Sequence, residues 1–293
     1  MSTRPAVTRI LFATDFLGSS RLALDYAVAF ARHFNATIVM VHALELPYPA
    51  REAESATFQP SVSRRHACER LDALAAGVRR LGINVENHVE DGVPSDVILR
   101  AVERYAADLL VLGVHGIHRG LTHLLIGSNT EKILMAASCP VMTVGAHVFT
   151  GVDPELHFKE LLYFSDFTPE ATAAAPYAAF LSEAFQAPVD ICQLMPDIAL
   201  DNPRLRQDLA DEYCRAITTV FPDALPEWSK SAYQLSHSLV FDEIIERAAE
   251  QHAGLIVLGI RTSTQLGRHL HTSFAYQLLA KASCPVLSVR YTA

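Results

Sequence analysis

The stretch GVHGIHRGLTHLLIGSNTEK, residues 113–132, follows a run of apolar residues, DLLVL, and leads into a segment with helical spacing. It holds four glycines, and one of them, Gly127, stands beside Ser128 where the predicted helix begins. Glycine allows positive φ angles and lets another group approach the backbone closely. The stretch therefore predicts either a loose strand-to-helix connection or a place where the main chain contacts a ligand.

The chain repeats itself in three places, always in the same order. The matching pairs are RILFATDF (9–16) with ELLYFSDF (160–167), DLLVLGVHG (108–116) with GLIVLGIRT (254–262), and ASCPVMTV (137–144) with ASCPVLSV (282–289). A length of 293 residues fits two domains of about 150 residues each. We predict two domains, residues 1–147 and 156–293, that are copies of one unit.

Within the first copy, short β-rich runs alternate with segments whose apolar residues have helical spacing. The predicted strands include RILFAT (9–14), TIVMVHAL (37–44) and DLLVLGV (108–114). Alternating strands and helices imply right-handed crossovers and a parallel sheet with helices on both faces. The fold class is therefore α/β, and the second copy follows the same plan.

The last strand of each copy, PVMTVG (140–145) and PVLSVR (285–290), should lie at a sheet edge. Because an exposed edge invites pairing, we predict that these two strands pair with each other inside one chain. The result would be an intramolecular pseudo-dimer, and the sequence leaves open whether whole chains form a homodimer in addition.

Composition excludes several classes of function. A net charge of −8 argues against a nucleic-acid binder, which normally carries a basic stripe, and against general attraction to anionic membranes. No apolar run approaches the about 18 residues that indicate a membrane span. The five cysteines form no C-x-x-C pair, and their odd number suits a reducing compartment. We expect a soluble, cytoplasmic protein.

The glycine-rich stretch and the end of the first strand are predicted to share one crevice. In an open parallel sheet, ligands bind beyond the carboxyl ends of the strands, where the strand order reverses. If strands one and four are neighbours, the crevice is bordered by Ala13, Thr14, Asp15, Gly113 and Gly116. Free amides at the helix start near Gly127 and Ser128 would hold an anion. The alternative is that these glycines are ordinary turn residues.

The segments ATDF (13–16), GVHG (113–116) and IGSNTEKIL with SCPV (126–134, 138–141) together resemble the motifs of the universal stress protein family. The resemblance extends over both copies, so the chain looks like a tandem member. It implies Rossmann-like domains, each with a five-stranded parallel sheet in the order 3-2-1-4-5. It also implies that ATP, with Mg²⁺, is held at the glycine motif.

The resemblance also implies individual contacts. Adenine would meet Ala13, Asp15 and the backbone of Ala43. Ribose and phosphates would meet Leu112, Gly113, Gly116, Gly127, Ser128 and Asn129. Ten residues separate Gly116 from Gly127, one more than in the family motif. We expect this extra residue to bulge outward, because insertions in surface loops cost little; the alternative is a displaced Gly116 and a weaker grip on the triphosphate.

The second copy has lost part of the pattern. It keeps Asp166 and Gly259, but Thr262 replaces the second glycine and HTSF (271–274) replaces GSNT. Each replacement adds a β-carbon where the backbone would approach phosphates. We predict that this copy binds ATP weakly or not at all and serves as a structural partner. The alternative is that its crevice accepts another small molecule or anion.

Two other groups of residues are candidates for a functional site. The histidines of the glycine-rich stretch have counterparts in the second copy. The set consists of His115, His118, His123, His269 and His271. No motif fixes their geometry, so we predict no metal site. The cysteines that precede the last strands, Cys139 and Cys284, are predicted to be buried packing residues.

Three functions remain from the sequence. The first is a nucleotide-responsive regulatory protein of the stress response, in which ATP bound to the first domain changes the surface offered to a protein partner. The second is a slow ATP hydrolase, in which Asp15 helps to hold magnesium. The third is a protein-interaction module that binds no nucleotide. Without an evident water-activating base, we rank the enzyme below the regulator.

Overall fold

The computed structural model describes residues 5–45, 60–114, 126–148, 158, 160–165, 169–193, 202–205, 207–208, 211, 215, 245, 254–260 and 274–291. The elements of the first half are β1 (Arg9–Ala13), α1 (Gly18–Phe34), β2 (Thr37–Leu44), α2 (Pro60–Arg79), β3 (Val85–Asp91), α3 (Pro94–Arg104), β4 (Leu109–Val114), α4 (Ser128–Ala136) and β5 (Val141–Gly145). Those of the second half are β6 (Leu161–Ser165), α5 (Pro169–Phe185), β7 (Val189–Gln193), β8 (Leu255–Ile260), α6 (Phe274–Lys281) and β9 (Val286–Arg290).

The described strands form a single nine-stranded sheet in the order β3-β2-β1-β4-β5-β9-β8-β6-β7. Within each half all neighbouring strands are parallel. The first half has the order 3-2-1-4-5, as predicted. The described strands of the second half follow the corresponding order 2-1-4-5, and the segment where its third strand is expected lies outside the described residues.

The two halves join through their last strands. β5 and β9 pair antiparallel, with Met142 opposite Leu287, and the Thr143 hydroxyl donates a hydrogen bond to the Val286 carbonyl oxygen at 3.3 Å. This confirms the predicted pairing of the two edges inside one chain. The domain boundaries at residues 147 and 156 stay predictions, because residues 149–157 lie outside the described part.

Alternation along the strands gives each face of the sheet its own core. In β1, Ile10 and Phe12 belong to the core that contains residues of α1, α2 and α5. Leu11 and Ala13 belong to the core under α3, α4 and α6. On the first face, α1 packs over β1, β4 and β5, whereas α2 packs over β2 and β3. Among the described helices, none combines the length and hydrophobicity needed to cross a bilayer.

A cluster of aromatic rings forms a second link between the halves, where α1 meets α5. The Phe30 ring centroid lies 5.3 Å from that of Phe185 and 6.2 Å from that of Phe158. The Phe34 ring stacks on Phe180 at 5.4 Å. Phe30 is only 1% exposed, so its side chain is buried at this contact between the two halves.

We predict that Phe30→Ala lowers the free energy of unfolding by about 3–5 kcal/mol, because the truncation leaves a cavity among packed rings. Urea denaturation followed by circular dichroism measures the change. Leu81→Ala is the control, since Leu81 is 56% exposed and the exchange should shift stability by no more than about 0.5 kcal/mol. Equal losses in the two variants would contradict the role given to the aromatic cluster.

Candidate functional site

A cavity of about 180 Å³ lies beyond the carboxyl ends of β1 and β4. The two strands are neighbours, with Ala13 opposite Leu112, so this is the point where the strand order reverses. Seven of the ten predicted site residues line the cavity: Ala13, Thr14, Asp15, Ala43, Leu112, Gly113 and Asn129. The structure therefore brings together residues from four separate elements that the sequence assigned to one crevice.

Two of the remaining three predicted residues lie at the start of α4. Gly127 immediately precedes this helix with φ −60° and ψ 146°, and Ser128 is its first residue. Among the described residues, a β-carbon added at Gly127 would meet no heavy atom within 4 Å, so a side chain at this position has room. Gly116 lies outside the described residues, and with it the extra residue of the loop.

A network of short hydrogen bonds fixes the start of α1 at the edge of the cavity. Asp15 Oδ1 accepts hydrogen bonds from the Leu17 N–H and the Ser20 hydroxyl, each at 2.8 Å. Thr14 Oγ1 accepts the Phe16 N–H at 2.9 Å and lies 3.2 Å from Ser20 Oγ. An Asp side chain that bonds the backbone two residues on forms an Asx turn. Asp15 therefore has a structural role that the sequence analysis missed.

His42, at the end of β2, was also missed as a neighbour of the site. Its Nδ1 lies 2.8 Å from the Thr14 carbonyl oxygen, so Nδ1 carries the hydrogen and donates it. Its ring packs against that of Phe16, with centroids 4.4 Å apart. Phe16 itself has φ 64°, a conformation that is rare for a bulky side chain. The sequence feature that could have identified His42 is its position as a polar residue near the carboxyl end of a buried strand.

Gly113 is a glycine for a different reason from the one expected. A β-carbon there would lie 2.5 Å from both Ser19 C and Ser20 N, and 2.7 Å from Ser19 O. The missing side chain thus makes room for the backbone of α1 rather than for a ligand. Gly113 still lines the cavity, but its lack of a β-carbon is explained by helix-to-strand packing.

The residues by which the second copy is compared with the first motif mostly lie outside the described part of the chain. This holds for Asp166, Thr262 and residues 271–273, whereas Gly259 lies in β8 and Phe274 begins α6. Weak or absent ATP binding by this copy stays a prediction.

The histidines of the glycine-rich stretch, and their counterparts in the second copy, likewise lie outside the described residues. Within the described residues, no group of three or more His, Cys, Asp or Glu side chains is placed to hold a metal ion.

The cysteines before the last strands are buried, as expected. Cys139 is 8% and Cys284 is 4% exposed. Burial raises the pKa of each thiol to about 12. A thiol with such a pKa is almost entirely protonated near neutral pH, and only the thiolate is an effective nucleophile. These two side chains therefore act as small packing groups of the core.

Comparison with known proteins agrees with this architecture. The model of the universal stress protein family matches residues 6–145 and 229–290, one match in each predicted domain. A universal stress protein of Methanocaldococcus jannaschii is 27% identical over 138 residues, which cover 46% of this chain and 81% of the relative. Universal stress protein A homolog 1 of Coxiella burnetii is 32% identical over 137 residues, covering 46% and 94%. The chain belongs to the universal stress protein family.

Solved structures extend the likeness of the fold to both halves. The crystal structure of a universal stress protein from Archaeoglobus fulgidus superposes with a TM-score of 0.69 at 20% identity, covering 96% of this chain and 98% of that one. A functionally unknown protein from Pseudomonas aeruginosa superposes with a TM-score of 0.67 at 15% identity, covering 98% and 94%. The whole arrangement of two joined halves therefore recurs in other proteins.

We predict that Gly113→Ala lowers the free energy of unfolding by about 1–3 kcal/mol, because the added methyl group must push α1 away from β4. Gly77→Ala is the matched control. Gly77 lies inside α2, and a β-carbon there would meet only the tip of Arg80 at 4.0 Å. This control should gain about 0.5–1 kcal/mol from helix propensity. Urea titrations that show the same sign for both variants would contradict the packing role of Gly113.

We predict that Cys139 and Cys284 resist alkylation in the folded protein. With a pKa of about 12, on the order of one thiol in 10⁴ is ionised at pH 8. Iodoacetamide treatment followed by peptide mass spectrometry should label Cys68, which is half-buried, well before either of them. Labelling in urea supplies the control, since all three should then react alike. Rapid labelling of Cys139 in the native protein would show that its burial is wrong.

Proposed function

We propose that the first half binds ATP with Mg²⁺ in the crevice beyond β1 and β4, and that nucleotide occupancy regulates binding to a protein partner. The observation that carries the proposal is the cavity that collects seven of the predicted contact residues at the reversal of strand order. Membership of a family with nucleotide-binding members supports the same assignment. Ligands of open parallel sheets bind at such a point.

The base and sugar fit the described part of the cavity. The apolar part of its walls includes Val41, Ile98 and Ile133, which suits the faces of an adenine ring. Ala43 lies two residues beyond the last pair of β1 and β2, Ala13 with Val41, so its backbone borders the crevice. A volume of about 180 Å³ is below the roughly 300–1,000 Å³ of sites that enclose whole drug-sized ligands. The phosphates would therefore extend outward.

The start of α4 would supply the N–H groups that bind those phosphates. The first N–H groups of a helix have no intrahelical partner, and the helix dipole favours negative charge there. In the described part of the chain, no side chain caps this helix, and the approach to Gly127 is open. Ser128 and Asn129 stand at the same end. Magnesium would offset the phosphate charge. Asp15 is the carboxylate among the described residues that line the cavity, and it would help to hold the ion.

A regulatory role fits these residues better than hydrolysis. Among the described residues that line the cavity, Asp15 is the only one with a carboxylate, and its Oδ1 accepts two hydrogen bonds that hold α1 in place. A general base must be able to reach the attacking water and take its proton. We therefore assign Asp15 to positioning, and we propose that binding rather than turnover is the signal.

We predict that calorimetric titration with ATP and Mg²⁺ shows one site per chain, and that Gly127→Val weakens binding at least tenfold. The valine side chain would fill the space through which the phosphates reach the α4 amides, while the unfolding free energy should change by no more than about 0.5 kcal/mol. Gly77→Val is the matched control, since this glycine lies on α2, away from the crevice. No heat from a folded protein would exclude nucleotide binding, and two sites would contradict binding by the first half alone.

Phosphate release measured on the same protein samples tests the alternative of a slow ATP hydrolase. Phosphate release that continues over many turnovers, and that Asp15→Ala abolishes while ATP still binds, would favour the enzyme over the regulator. We expect no sustained release from the unmodified protein.

A further inference from the structure

A larger cavity lies between α1 and α2, and the proposed function makes no use of it. This α1–α2 groove encloses about 570 Å³, about three times the volume of the crevice. It falls within the roughly 300–1,000 Å³ that ligand pockets occupy. Phe12 of β1 lines its floor, and the walls include Leu24 and Val28 of α1 and Leu74 and Val78 of α2.

The two helices that border the groove pack mainly over different strands. α1 packs over β1, β4 and β5, while α2 packs over β2 and β3. The close approach of the Ser19–Ser20 backbone to Gly113 holds the start of α1 on the β4 side. Phe12 lies beneath the groove and is only 1% exposed.

Apolar side chains remain exposed where the groove opens. Three large hydrophobic residues of the described chain are strongly exposed, and two of them, Leu17 at 57% and Leu81 at 56%, line the groove. One stands before α1 and the other after α2, so they mark opposite ends. Each of these two side chains adds apolar surface at one end of the groove.

Positive charge is concentrated at one end of the groove. The Arg70 guanidinium lies 4.2 Å from the Phe16 ring centroid, and its Nη2 donates to the Phe16 carbonyl oxygen at 3.3 Å. Arg21, in the first turn of α1, also lines the groove; burial raises the pKa of Asp25, and the positive charge of Arg21 opposes that rise. The lining holds a single described carboxylate, Asp25, one helical turn further on. Two guanidinium groups thus face one acid.

The opposite end is apolar. It is formed by Val28, Val78 and Leu81. From Leu17 to Val28 the groove follows α1 for roughly 16 Å, at 1.5 Å per residue. The site therefore has a cationic head and a hydrocarbon tail, which is the pattern expected for an elongated ligand with one anionic end.

We propose that the α1–α2 groove binds a small amphipathic carboxylate, with its anionic group between Arg21 and Arg70 and its hydrocarbon body over Phe12. Guanidinium groups pair with carboxylates through parallel N–H donors, which gives both strength and orientation. The apolar walls stabilise the hydrocarbon part by removing it from water. The groove opens between α1 and α2 and the proposed nucleotide site beyond β1 and β4, although Thr14 and Ser20 line both cavities.

Decanoate, used below the concentration at which it forms micelles, is the probe. Calorimetry on the full chain should show one saturable site, and Arg21→Gln and Arg70→Gln should each weaken it at least tenfold. Arg65→Gln is the matched control, because Arg65 is an exposed arginine of α2 that does not line the groove. Decanol, which has the tail without the charge, should bind at least tenfold more weakly than decanoate.

Gly77→Leu tests the position of the tail without removing a charge. Gly77 lines the groove, and a β-carbon there meets open space except for the tip of Arg80. Leucine is also a better helix former than glycine, so the variant should fold and resist urea at least as well as the parent. It should nonetheless lose decanoate binding, whereas Gly127→Val should bind decanoate normally.

Several results would overturn the proposal. These are no decanoate binding by the parent protein, equal affinity for decanol, or unchanged affinity in Gly77→Leu. If the parent binds no decanoate and Gly77→Leu instead changes the sedimentation coefficient, the groove is a contact between two copies of the chain and not a ligand site.

Discussion

Helix α1 lies against β4 only because Gly113 carries no side chain. The backbone of Ser19 and Ser20 occupies the space that a β-carbon would need, so the close approach of the start of α1 to β4 depends on this glycine. The start of α1 is brought to the edge of the crevice, where Ser20 joins Thr14 and Asp15. On its other side, α1 borders the α1–α2 groove together with α2.

The arrangement of strands was predictable because it depends on repeated and local patterns. The three paired segments indicate two units, and alternating strand and helix patterns indicate a parallel sheet. The pairing of β5 with β9 also followed, since each is an edge strand of the same type. The crevice was predictable as a location because ligand sites of such sheets lie where the strand order reverses, and the ends of β1 and β4 are marked by polar and glycine residues.

The individual roles of residues were less predictable, because they depend on contacts between distant parts of the chain. A glycine near the end of a buried strand can be recognised in the sequence, but the group that lies against it cannot. At Gly113 that group is the backbone of a helix. Asp15 was assigned to a ligand, although an acid just before a helix can equally hold the turn that starts it. The α1–α2 groove left no signal in the sequence, since it results from where two helices settle on different strands. Arg21 and Arg70 are 49 residues apart and look like ordinary surface charges.

The antiparallel seam between β5 and β9 has an evolutionary consequence. In an assembly of two identical subunits, every substitution occurs twice, so both sites must change together. Here the partner is a second segment of the same polypeptide, and each site is free to diverge while the other keeps its ancestral residues. The contrast between GSNT in one half and HTSF in the other is an asymmetry that two identical subunits could not show.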